Sequence, residues 1–119
     1  MRRDSLKQGL LLDYYGELLT EKQRLYCDLY FNQDYSLAEI AEQTGISRQG
    51  VHDSLLHAQA ALLEFERILG CAARDEALRD LAARGREALA PLLDSPDDRV
   101  RDSARQATRI INDMEGSAE

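Results

Sequence analysis

Apolar residues recur along this chain at spacings of three and four. No stretch alternates apolar with polar in the way a half-buried strand requires. The pattern predicts an all-α fold. A first helix is expected over about Ser5 to Leu19, with Leu6, Leu10, Leu11, Tyr14 and Leu18 on one face and Gly16 weakening the last turn. Thr20 reads as the N-cap of a second helix reaching about Asn32, in which Leu25 and Leu29 form the inner stripe and Tyr26 and Tyr30 flank it. After the polar turn Asn32-Gln33-Asp34-Tyr35, Ser36 and Glu39 make a capping box that opens a short third helix, Leu37 to about Thr44.

The fourth helix is the longest. Ser47 caps it, and Val51, Leu55, Leu62, Phe65 and Leu69 keep helical spacing to Gly70 without an intervening proline. A helix of that length projects beyond a three-helix domain, so its far half needs a partner. One candidate lies in residues 72–93, where Leu78, Leu81, Ala82, Leu89, Leu92 and Leu93 form a looser stripe interrupted by Gly85 and Pro91. Ser95-Pro96-Asp97-Asp98 then reads as a helix start with Ser95 as the cap. The last helix carries Val100, Ala104, Ala107, Ile111 and Met114 at four-three-four-three spacing, a seam of the coiled-coil kind. The expected layout is a three- to four-helix domain over residues 1–70 and a helical extension over 71–119, the latter either packing on the long helix or joining two chains in a homodimer.

The stretch Ser36 to Leu55, SLAEIAEQTGISRQGVHDSL, meets the requirements of a helix-turn-helix in register. Ala41 is small where two helices cross. Gly45 tolerates a left-handed turn. Ile40, Ile46 and Val51 are apolar on either side of that turn, and Ser47 caps the second helix. That second helix would present Arg48, Gln49, His52 and Asp53 to a major groove, where Arg suits guanine and Gln suits adenine, while Ser47 and Lys22 would lie nearer the backbone.

The block TEKQRLYCDLYFNQDYSLAEIAEQTGISRQGVHDSL resembles region four of sigma-70-type sigma factors. Over residues 10–70 the chain is similar to something narrower, the YlxM family of small helix-turn-helix proteins, with DYYGELLTEKQR and DYSLAEIAE as the distinctive strings. The resemblance implies a DNA-binding or regulatory protein linked to the signal recognition particle pathway, with the particle's RNA or its GTPase as further expected partners. The chain departs from the family pattern at His52, where an aromatic residue is usual, at Leu56 and His57, where basic residues are usual, and at Gly50, where Ala is usual.

Charge tempers the nucleic-acid reading. The formal net charge is −7, and neither part is basic: residues 1–70 hold 7 basic and 11 acidic side chains, and residues 71–119 hold 8 and 11. Any phosphate contact must therefore use a local patch. Cys27 and Cys71 lie far apart without a CxxC partner and are expected to be reduced thiols. There is no Gly-rich phosphate loop, nucleophile elbow or metal-ligand cluster, so neither an enzyme nor a cofactor or metal site is expected. No apolar run approaches membrane-spanning length, and the cytoplasm is the expected location, without membrane insertion.

Overall fold

A computed structural model describes the backbone of residues 2–117 and the side chains of residues 7–116. Among the described residues every regular element is helical. The order is α1 (Arg2–Tyr15), a 3-10 turn (Gly16–Leu18), α2 (Glu21–Cys27) running into a wide π-helical segment (Asp28–Asn32), α3 (Leu37–Thr44), α4 (Arg48–Leu69), α5 (Cys71–Leu89), a 3-10 turn (Ala90–Leu92) and α6 (Asp98–Ser117). No described helix is long and apolar enough to cross a membrane. The chain divides into two compact units, Met1–Ala72 and Ala73–Glu119.

Local chemistry sets the boundaries in the first unit. Two capping boxes open α2 and α3. Thr20 Oγ1 accepts from Gln23 N–H while Gln23 Oε1 accepts from Thr20 N–H, and Ser36 and Glu39 repeat the reciprocal pair at 3.0 Å each way. Gly45 ends α3 and Gly70 ends α4, both left-handed, at φ +80° and +64°. Asp34 holds the polar turn at φ +58°, a conformation that Asp tolerates better than most residues.

The core consists of Leu11, Leu12 and Tyr15 of α1, Tyr26 and Cys27 of α2, Leu29, Ile40 and Ala41, and Val51, Leu55, Ala58 and Leu62 of α4. Two faces are rotated from the expected ones. In α1 the buried positions are Gln8, Leu11, Leu12 and Tyr15, whereas Leu10 and Leu18 are exposed; Leu6 lies outside the described side chains. In α2 Leu25 is 48% exposed and Tyr26 is buried. The run LLLDYY permits two neighbouring registers, and tertiary contact selects between them: Tyr15 turns inward because its hydroxyl has partners there. Beyond Cys27 the chain widens, with Gln33 N–H donating to Asp28 C=O and the Asp28 carboxylate accepting from Asn32 and Gln33 side chains.

The far half of α4 finds its partner in α1. Tyr15 and Phe65 rings lie 6.0 Å apart, and Tyr15 Oη donates to Glu66 Oε1 at 2.6 Å. The same two side chains close the start of α5: Cys71 N–H donates to Tyr15 Oη and Ala72 N–H to Glu66 Oε1, each at 3.0 Å. Together they satisfy backbone donors that a helix N-terminus leaves unpaired.

In the second unit α6 runs beside α5. Ala82 and Ala104 are buried, and Arg86 pairs with Glu115 at 2.7 Å and with Asn112 at 3.1 Å. Gly85 sits where a Cβ would stand 3.0 Å from Ile111 Cδ1, so the glycine leaves room for the Ile111 side chain. Pro91 falls in the 3-10 turn just past α5, where a helix can no longer continue. The cap of α6 is Asp97 rather than Ser95: Asp97 Oδ1 accepts from Arg99 and Val100 N–H, while Ser95 Oγ accepts from Asp97 N–H. An aspartate at the cap also meets the positive end of the helix dipole. Of the expected seam, Ala104 is buried, Ala107 and Ile111 are half-buried, and Val100 and Met114 are exposed.

Candidate nucleic-acid interface

The N-terminal end of α4 is built by the turn before it. Thr44 Oγ1 donates back to Ile40 C=O, Gly45 N–H donates to Ala41 C=O, and the left-handed Gly45 reverses the chain. Ile46, expected to seal the corner, is instead 38% exposed. Ile40, Ala41, Val51 and Leu55 are buried and hold the two helices without it. Ser47 then accepts from Gly50 N–H at 3.0 Å. A Cβ at position 50 would stand 3.1 Å from that Oγ, so Gly50, a weak helix former, leaves the cap its room.

With Val51 and Leu55 turned inward, the opposite face of the first two turns of α4 is outside. Arg48, Gln49, His52 and Asp53 are all exposed. Arg48, Gln49 and His52 converge with Leu37 of α3 on an open groove of about 460 Å³. Asp53 does not line that groove. Its Oδ1 accepts from Gln49 Nε2 at 2.9 Å and lies 3.6 Å from His52 Nδ1. Ser47 is exposed beside them, engaged as the cap. Lys22 is exposed in the first turn of α2 and is not among the groove's lining residues. The groove thus offers a guanidinium, an amide and an imidazole at a helix N-terminus whose dipole favours anions. The one carboxylate beside it is committed to the amide.

Leu37, the first residue of α3, is partly buried, packing against the core and also lining this groove. A second groove of about 540 Å³ lies between α1 and α2, with Leu12 and Leu25, the latter expected inside, as its apolar members. Asp13, Glu21 and Asp28 line it against a single Arg24, which makes it acidic.

Comparison with known proteins agrees with this geometry. Residues 3–91 match the UPF0122 family, described as "Putative helix-turn-helix protein, YlxM / p13 like". A UPF0122 protein of Clostridium novyi is 47% identical over 63% of this chain and 65% of its own length. One of Clostridium kluyveri is 54% identical over 53% and 57%. The chain thus spans less than two thirds of either relative. A UPF0122 protein of Symbiobacterium thermophilum is 42% identical over 73% of this chain and 81% of its own length. The match runs through both helices of the motif, and the chain belongs to the UPF0122 family of helix-turn-helix proteins.

Proposed function

We propose that this protein is a non-enzymatic regulatory protein that binds duplex DNA through the start of α4. Residues 1–70 form the recognition domain and residues 71–119 an extension that joins two copies. The observation that carries the reading is the groove at the capped N-terminus of α4, where Arg48, Gln49 and His52 converge with their side chains exposed. Arg48, Gln49 and His52 face the base edges, Ser47 and Lys22 approach the sugar-phosphate backbone, and Asp53 stands behind Gln49. The exposed apolar residues Val100 and Met114 of α6 are the contact between copies, and a dimer would present two such helices to successive half-sites. In this reading the activity belongs to the signal recognition particle pathway, as the resemblance to the YlxM family implies, and is exerted in the cytoplasm. Replacing Arg48 with Ala weakens binding to a preferred duplex in this reading; unchanged affinity in the variant removes the residue from the interface.

A second reading is favoured by the acidic groove between α1 and α2. Three carboxylates beside the exposed Leu25, in a chain of net charge −7, suit a basic protein surface better than a phosphate backbone. In that reading the protein is an interaction module acting on the signal recognition particle's GTPase, and the charge of the groove argues against the particle's RNA as its occupant. Capture of the purified GTPase, abolished by Leu25→Glu, supports it. Recovery no greater than background counts against it.

A further inference from the structure

Asp53 is an acidic residue on a helix face proposed to meet a polyanion, which calls for a reason. Its carboxylate oxygen Oδ1 lies 2.9 Å from Gln49 Nε2, one helical turn earlier. A carboxylate only accepts hydrogen bonds, so the contact fixes which way round the Gln49 amide stands: the NH₂ must face Asp53. One N–H is used there. Oε1 and the second N–H remain, the acceptor and donor that complement adenine N6–H and N7 in the major groove. A free glutamine can present its amide in either sense and loses rotamer freedom on binding. Gln49 is already held, on a groove wall it shares with Arg48 and His52. The His52 Nδ1 lies 3.6 Å from the same oxygen, outside hydrogen-bond reach.

We propose that Asp53 is a positioning residue that fixes the Gln49 amide to read one adenine of the target duplex. It contributes selectivity and costs affinity, because its charge repels the nearby phosphates. This rests on the duplex-DNA reading above. A glutamine–aspartate pair one turn apart also supports a helix by itself, and the test separates the two.

A duplex is first enriched from a randomised pool with the wild-type protein. Wild type, Asp53→Ala and Asp53→Asn are then titrated against it and against versions in which single adenines are replaced by 7-deazaadenine, which lacks N7. At one adenine the wild type should lose about tenfold in affinity. Asp53→Asn, whose amide can donate to Gln49 as well as accept from it, should lose part of that discrimination and should bind the parent duplex more tightly. Asp53→Ala should lose most of the discrimination. Discrimination undiminished in Asp53→Ala, or absent in the wild type at every adenine, overturns the assignment while the DNA reading stands. If no duplex is enriched from the pool, the DNA reading falls and the assignment with it.

Discussion

Tyr15 and Glu66 are 51 positions apart, and the hydroxyl of one donates to the carboxylate of the other at 2.6 Å. The pair joins the end of α1 to the last turn of α4, and the same two oxygens accept from Cys71 and Ala72 N–H. No local rule of helix capping places a tyrosine in this role. Burial, and then the bond to Glu66, pushes the Tyr15 phenol up to about 12.

Tyr15→Phe should therefore do more than delete one contact. It leaves the Cys71 N–H without that acceptor and removes one of the donors to the Glu66 carboxylate, which keeps Ala72 N–H. The melting temperature of the first unit should fall by about 5 °C, and amide exchange at Cys71 should accelerate. An absorbance titration compared between wild type and Tyr15→Phe should show the Tyr15 phenol resisting ionisation to about pH 12 or until unfolding. A variant that melts and exchanges like the wild type would reduce the network to a packing coincidence.

The capping box at Ser36 carries a pH dependence. Glu39 accepts from the Ser36 backbone N–H, and that bond, followed by the side-chain bond, holds its carboxyl below the ordinary value of 4.5. A depressed carboxylate pKa stabilises the folded state fully above the unfolded value, and the contribution is lost as pH falls through the folded one. Glu39→Gln should match the wild type more closely below pH 4.5 than at neutral pH. Ser36→Ala should cost about 1 kcal/mol at neutral pH. Thermal melts across that range check both, and a constant gap between wild type and Glu39→Gln would contradict the charge-based account.

The two thiols should separate cleanly. Cys27 is buried in the core, and burial pushes its thiol up to about 11, whereas Cys71 is half-exposed at the start of α5. A disulfide reagent at mildly alkaline pH should modify one thiol promptly and the second only on unfolding. Mass spectrometry of the singly labelled protein should find the label on Cys71. Equal rates at both would mean that the core around Cys27 opens readily.

What was legible in the sequence was local. The caps at Thr20, Ser36 and Ser47 and the left-handed glycines at 45 and 70 depend on residues within one turn of each other, and these stand where the pattern placed them. Helix phase was not legible where several registers were apolar. In α1 the three successive leucines and two tyrosines fit two faces, and the deciding contact with Glu66 comes from far along the chain. In α2 the spacing put Leu25 on the inner stripe with Tyr26 flanking it, whereas Tyr26 is buried and Leu25 exposed. Between Ser95 and Asp97 the sequence offers two cap residues, and the aspartate takes two N–H groups where the serine takes one. At the candidate interface the spacing of Arg48, Gln49 and His52 was enough to group them. That Asp53 turns away to hold Gln49 needed side-chain geometry.

The central claim is that the start of α4 binds nucleic acid, and the most direct measurement is a fluorescence anisotropy titration of the full chain into labelled duplex DNA and labelled signal recognition particle RNA, side by side at low and moderate salt. The account predicts micromolar or tighter binding to the duplex that weakens steeply as salt rises, and weaker binding to the RNA. Absence of binding to either ligand at low salt would contradict it and leave the helix-turn-helix as a scaffold for protein contacts.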